Sequence, residues 1–172
     1  MKYGFIKVAA ASPALRLGDT AYNLESAKAS FDAAENLGAN LLVLPELHLT
    51  GYTCGDLFYS DLLLDGVLQA LGALRDYTAG KRCLLVVGLP LRLGGKLYNC
   101  AAVLQGGEVL GLVPKTVLPN YGEFYEKRQF TSGADYRGPA EISLLGQEIP
   151  FGRDLLFCCQ EMADFVLGVE IC

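Results

Sequence analysis

Apolar residues along the chain follow two repeat lengths. Leu24, Ala27, Phe31, Ala34 and Leu37 recur at steps of three and four, the spacing that lines one face of an α-helix. Gly38 follows, and glycine accepts the left-handed backbone that commonly closes a helix. Leu64, Val67, Leu68, Leu71 and Leu74 repeat the pattern and predict a second helix over 62–77, with Gly80 beyond its end. Between and after the helices lie continuous apolar runs of strand length at 3–10, 41–44 and 83–89. Further runs at 97–104 and 108–113 flank Gln105-Gly106-Gly107, a glycine pair that predicts a tight hairpin. Short strands are expected at 141–145, 155–159 and 165–171. Strand, helix, strand, helix, strand and then hairpins predict an α/β fold with a mixed sheet. No repeat, linker or low-complexity stretch interrupts it, so residues 1–172 read as one domain.

Composition narrows the function classes. A chain of 172 residues with 52% hydrophobic content can bury a full core. A net charge of −5 supplies no basic stripe for phosphates, which argues against nucleic acid and anionic membrane as partners. Lys81-Arg82 and Lys127-Arg128 read as solvated pairs. No apolar run approaches the roughly 20 residues of a membrane span, and Lys2 and Lys7 interrupt any signal-peptide core. Cysteines 54, 83, 100, 158, 159 and 172 form no CxxC pair and no cluster with histidine. Reduced, mostly buried thiols in a cytoplasmic protein are therefore expected, with no metal site and no disulfide framework. His48 is the single histidine, so any imidazole base would have to be this residue; it reads more simply as a loop residue.

The candidate chemistry stands at strand ends. The run 41–44 is followed by Pro45-Glu46, the run 108–113 by Pro114-Lys115, and the run 165–171 by Cys172. In α/β sheets, sites form outside the carboxyl ends of strands. A thiol attacks well only as thiolate. A carboxylate can take its proton, and an ammonium can favour the thiolate and stabilise an oxyanion. Glu46, Lys115 and Cys172 thus suffice for acyl transfer without histidine, provided the strand ends meet. Each taken alone is also compatible with a solvated loop charge or a core-filling thiol.

The segments PELHLTGY (45–52), PKTVLPNYGEFYEKRQF (114–130) and the final GVEIC resemble the signature segments of the nitrilase superfamily of carbon–nitrogen hydrolases. Within it, PNYGEFYEKRQF, VAAASPALRLGDTAYN (8–23) and DLFYSDLLL (56–64) look like the N-terminal glutaminase domain of the glutamine-dependent NAD synthetases. The resemblance implies a four-layer α-β-β-α sandwich. It also implies Glu46 as general base, Lys115 as the lysine that stabilises the transition state and Cys172 as nucleophile. Glu123 is the implied auxiliary glutamate, and Tyr52 and Tyr121 are the implied lining of a glutamine pocket.

By the same resemblance the substrate is glutamine, and the glutaminase reaction uses no metal or cofactor. The ammonia produced serves NAD synthesis in a downstream ligase domain, absent here, which would use ATP and Mg. Homo-oligomers are common in this superfamily and are expected. Members continue past the cysteine with an acidic residue, an aromatic and more of the sandwich, so the ending is expected to be a truncation at the nucleophile. Two other readings stand beside glutamine hydrolysis. One is a stand-alone amidase or N-carbamoyl hydrolase. The other is an inactive fragment with a structural or interaction role. The isolated 172-residue chain is expected to lack activity and to self-associate through exposed apolar edges.

Overall fold

The computed structural model describes residues 4–162 and 164–172. Its centre is a five-stranded sheet in chain order: β1 (Val8–Ala10), β2 (Leu41–Val43), β3 (Leu84–Leu93), β4 (Lys96–Gln105) and β5 (Glu108–Pro114). Strands β1, β2 and β3 pair in parallel, through Val8 to Leu41 and Leu41 to Leu84. The β3–β4 and β4–β5 pairs are antiparallel. Strands β1, β2, β3 and β5 therefore run the same way and end at one edge of the sheet, where β4 begins. That edge carries the site. The sheet is mixed, as the apolar pattern predicts.

Two helices cover one face. Helix α1 (Thr20–Asn36) starts where the Asp19 side chain accepts a hydrogen bond from the Tyr22 N–H at 3.0 Å, filling an otherwise orphan donor. It stops before Gly38, whose φ is +68°. Helix α2 (Asp61–Tyr77) turns Val67, Ala70, Leu71 and Leu74 inward. With Ala27, Phe31 and Ala34 of α1 they form one core with Leu42, Leu85, Val87, Leu89 and Cys100 from the sheet. The opposite face, built from Leu41, Val86, Ala101 and Val103, is partly covered by a hairpin of β8 (Leu156–Cys158) and β9 (Val166–Gly168). A second hairpin, β6 (Glu141–Leu144) with β7 (Gln147–Pro150), lies beyond β5. Among the described residues an α layer and a five-stranded β layer of the implied sandwich are present, and β8–β9 packs on the sheet face away from the helices.

Several local expectations change. The opening strand is Val8–Ala10 and not 3–10, because its parallel partner β2 is only three residues long; residue 3 lies outside the described residues. Strand β3 continues to Leu93 and turns through Gly94 and Gly95, at φ +57° and +76°, into β4. This hairpin is absent from the apolar reading, as is β7. Leu37, expected to face inward, caps α1 and is exposed, because the helix ends at Asn36. Cys54, Cys83 and Cys100 are buried, but Cys158 and Cys172 are exposed and Cys159 half-buried, since the β8–β9 hairpin is covered on one side only. All six are free thiols. Lys81 pairs with Asp32 at 3.0 Å and Arg128 with Asp56 at 3.1 Å, so neither basic pair forms a patch. No helix among the described residues is long and apolar enough to cross a membrane.

Candidate active site

The loop after β2 does not continue along the strand direction; it crosses over β3. Leu44 N–H donates to Val86 O at 2.9 Å and Leu49 N–H to Gly88 O at 3.1 Å. Between these anchors the chain passes so close to β3 that a β-carbon on Gly88 would stand 2.6 Å from Pro45 O and 2.8 Å from the Glu46 carbonyl carbon. Leu47 takes φ +51° to make the bend, and Leu47 and Leu49 are fully buried as pegs on either side of His48. Crossing at Gly88 carries Glu46 over β4 toward the end of β5. His48 turns the other way: its Nε2 lies 3.3 Å from Asn23 O of α1. Burial lowers its pKa against the opposing pull of that carbonyl. It is a neutral, buried loop residue and not a base facing Glu46.

Lys115 follows β5 directly. Its N–H donates to Asn99 O at 2.7 Å, and its carbonyl accepts from Gly133 N–H at 2.7 Å, so the backbone is pinned on both sides. The side chain is buried, with 1% exposure. Its Nζ donates to Glu46 Oε1 at 2.7 Å and to Glu126 Oε1 at 2.8 Å. Burial disfavours the ammonium, but the hydrogen bonds it donates to Glu126 and Glu46 and the charges of those carboxylates outweigh it and hold the Lys115 pKa above its ordinary value. Asn99 Nδ2 donates to the same Glu46 Oε1 at 2.5 Å, and Tyr52 OH donates to Glu126 Oε1 at 2.6 Å. Burial above all, with the bond to Glu126 and the charges of Glu126, Glu46 and Glu123 behind it, pushes the Tyr52 phenol far above its usual range.

The carboxylate against Lys115 is thus Glu126, where the motif resemblance pointed to Glu123. The reason is local packing. Glu126 opens a short helix, α3 (Glu126–Gln129), and Phe130 behind it packs edge-on against Phe58 with ring centroids 5.0 Å apart. That contact turns Glu126 inward to 4% exposure. Glu123 sits three residues earlier in an exposed turn and lines an open cleft of about 500 Å³ with Tyr52, Phe58, Phe124 and Glu126. Tyr52 belongs to both the cleft wall and the charge network. Tyr121 is 73% exposed and meets Phe124 edge-on with ring centroids 5.9 Å apart, outside the lining of that cleft.

Cys172 follows Val169 and Ile171, which pack on the sheet face formed by Leu41, Val86, Ala101 and Val103. Residues 168–171 share a cavity of about 690 Å³ with Val113, Pro114 and Thr116, the residues around Lys115. The terminal thiol is exposed, and among the described residues no hydrogen bond joins it to Glu46 or Lys115. The structure therefore brings Glu46 and Lys115 into direct contact and carries the Cys172 segment alongside β5.

The carbon–nitrogen hydrolase family matches residues 7–172. The chain belongs to that family. It is 44% identical over 171 residues to the glutamine-dependent NAD(+) synthetase of Mycobacterium tuberculosis, covering 99% of this chain and 25% of the relative. A crystal structure of the glutamine-dependent NAD(+) synthetase from Cytophaga hutchinsonii superimposes with a TM-score of 0.82 at 28% identity, over 91% of this chain and 26% of that one. A mutant amidase from Nesterenkonia sp. AN1, solved after addition of acrylamide at its active site cysteine, gives a TM-score of 0.63 at 26% identity, over 84% of this chain and 55% of that one. The chain spans about a quarter of the length of the curated relatives it matches first.

Two residues of this carbon–nitrogen hydrolase's charge cluster escape a reading by motif. Glu126 is signalled by spacing, since it stands four residues before the buried Phe130 in YEKRQF and so shares its inward face. Asn99 is signalled by context, as a lone amide inside the apolar run LYNCAAVL, where a buried polar side chain calls for a partner. The cluster they complete can do two things. A carboxylate held through one oxygen by two donors can act as a base through its other oxygen. A buried ammonium flanked by two carboxylates keeps its charge and can face a developing negative oxygen.

Proposed function

We propose that the protein hydrolyses the side-chain amide of glutamine to glutamate and ammonia, using Cys172 as nucleophile, Glu46 as general base and acid, and Lys115 as oxyanion stabiliser. The observation that carries the reading is the ion pair at 2.7 Å between the buried Lys115 and the half-buried Glu46, set at the carboxyl edge of the sheet in a chain 44% identical to glutamine-dependent NAD(+) synthetases.

The steps follow from the groups. Cys172 Sγ attacks the amide carbon while Glu46 takes the thiol proton, forming the S–C bond and a tetrahedral oxyanion near the Lys115 ammonium. Glu46 returns the proton to the departing nitrogen, the C–N bond breaks, and ammonia leaves a γ-glutamyl thioester. Water attacks that thioester as Glu46 takes one of its protons. Collapse releases glutamate, and the proton goes back to sulfur. Glu126, bonded to Lys115 and Tyr52, holds the ammonium in place. Glu123 and Tyr52 line the cleft that glutamine would enter, with Tyr121 beside it on Phe124. None of these steps uses a metal or organic cofactor. The ammonia would be consumed by an ATP- and Mg-dependent ligase domain, in a cytoplasmic homo-oligomer.

The test uses the protein as encoded by its gene. A glutamine-mimicking electrophile should add one mass increment at Cys172, glutamine should protect, and Cys172→Ser should abolish both labelling and ammonia release. An adduct on another cysteine would end the assignment. The likeness to the Nesterenkonia amidase supports a second reading, a small-amide or N-carbamoyl hydrolase with the same three groups. Faster turnover of a short aliphatic amide or an N-carbamoyl compound than of glutamine would favour it.

A further inference from the structure

Asn99 holds both halves of the ion pair at once. It lies in β4 near the edge where the sheet's site forms, paired across to Pro90, and it is 1% exposed. Its backbone carbonyl receives the Lys115 N–H at 2.7 Å, and its side-chain Nδ2 donates to Glu46 Oε1 at 2.5 Å. The bond links a residue on the sheet to a loop 53 positions away. Among the described residues, no other member of the cluster contacts both the base and the lysine from within the sheet.

The orientation of the amide is fixed by chemistry. A carboxylate oxygen can only accept, so the –NH₂ end must face Glu46; the reversed rotamer would set two acceptors against each other. The arrangement leaves Asn99 Oδ1 buried with no partner among the described residues, and an unsatisfied buried acceptor costs about 1–3 kcal/mol. A group serving stability alone would gain from an apolar strand residue of similar shape. What the amide does bond is the base.

We propose that Asn99 is a positioning residue that fixes which oxygen of Glu46 carries protons: with Asn99 and Lys115 both donating to Oε1, proton traffic is confined to Oε2. The inference rests on the glutamine-hydrolysis reading and adds a residue to it. Asn99 touches neither substrate nor the atoms that react. It sets the carboxylate plane and register, and a displacement of about 1 Å at a reacting group can cost ~10²-fold in rate. The charged and titratable groups around Glu46 are Lys115 from the end of β5, Glu126 beyond it, and Tyr52 and Glu123 from the neighbouring loops. Asn99 is the neutral donor that bonds Glu46 itself.

The experiment measures glutamine hydrolysis against pH for wild type, Asn99→Ala, Asn99→Asp and Asn99→Ser in the protein as encoded by its gene, with Glu46→Gln and Cys172→Ser as controls. For Asn99→Ala we expect kcat to fall about 10²-fold with KM changed less than threefold. Losing a donor destabilises the anionic base, so the acid limb of the kcat profile should move to higher pH. Asn99→Asp keeps the shape but adds a like charge and should move the limb further. Asn99→Ser keeps a donor and should recover part of the rate. An acid limb unmoved in every Asn99 variant that unfolds at the wild-type temperature would overturn the inference while leaving the reading intact. If Asn99→Ala does not fold, the shape-conserving Asn99→Asp decides. Full activity in both controls would instead overturn the reading itself, and this inference with it.

Discussion

A β-carbon on Gly88 would lie 2.8 Å from the carbonyl carbon of Glu46, so the absence of a side chain at one residue of β3 sets the path of the loop that carries the base. Gly88→Ala should push the 45–47 loop off the sheet. An added methyl in a tight site typically costs about 1–3 kcal/mol, readable as a lower urea midpoint. Displacing Glu46 by even a fraction of an ångström should lower kcat by an order of magnitude or more, because general-base catalysis requires hydrogen-bond reach. A wild-type rate in Gly88→Ala would show that the loop position is not set by this contact.

Glu126→Gln removes one of two carboxylates facing a buried ammonium. Breaking a buried pair costs about 3–5 kcal/mol, and with Glu46 still opposite Lys115 the loss should fall at the low end. The sign with pH follows from the raised Lys115 pKa. The stability it contributes is complete below the ordinary value of 10.5 and is lost as pH rises through the higher folded value. Glu126→Gln should therefore unfold at lower alkaline pH than wild type, whereas Glu123→Gln should leave both melting temperature and alkaline unfolding unchanged. Equal effects from the two substitutions would contradict the distinction drawn between these glutamates.

His48 sets an acid limit. Its pKa lies below the ordinary 6.5 because of burial, so the unfolded chain binds a proton that the folded one refuses. Stability is complete above pH 6.5 and falls as pH drops from there through the lower folded value. Asp32 has a lowered pKa from its bonds to Tyr77 and Lys81, but its contribution is lost only below its ordinary 3.8. Thermal melts of His48→Gln should thus show a shallower decline than wild type just below pH 6.5, with both curves falling together once the Asp32 range is reached.

The face of the sheet away from the helices leaves Val8 62% and Val43 40% exposed, beside the β8–β9 hairpin. Apolar patches of this kind on a sheet invite association. The 172-residue chain made alone should sediment above monomer mass. Val8→Lys with Val43→Lys should shift it toward monomer without changing the Glu46–Lys115 pair.

Both helices and the 105–107 turn were legible in the sequence, since 3.6-residue periodicity and a Gly-Gly pair act locally and survive any tertiary context. Two of the strand ends were legible as chemistry, and Glu46 and Lys115 do meet; Cys172, expected at the end of a strand over 165–171, lies instead beyond a β9 that stops at Gly168 in a separate two-stranded sheet. The choice between Glu123 and Glu126 was not legible, because the two lie three residues apart in one polar segment, and tertiary contacts, Phe130 on Phe58 and the bonds from Lys115 and Tyr52, accompany the one that turns inward. The Gly94-Gly95 pair between Arg92 and Lys96 carries the same hairpin signal as Gly106-Gly107; Pro90, normally a strand breaker, masks it by marking the end of the run at 83–89, whereas β3 continues through it to Leu93. Asn99's partner is 53 residues away in sequence, and no local pattern encodes it.

Strands β3, β4 and β5 are joined by two-residue connections and pair in sequence order, whereas β2 reaches β3 across the whole of α2. Local pairings close with less loss of chain entropy than distant ones. The meander spanning 84–114 is thus expected to condense early, with Asn99 and the root of Lys115 already set, and the 44–49 segment to dock onto Gly88 afterwards. Pulse-labelled hydrogen exchange during refolding should protect the amides of β4 before that of Leu49. The base would then be the last member of the ion pair to arrive, added to a scaffold that has solidified before it.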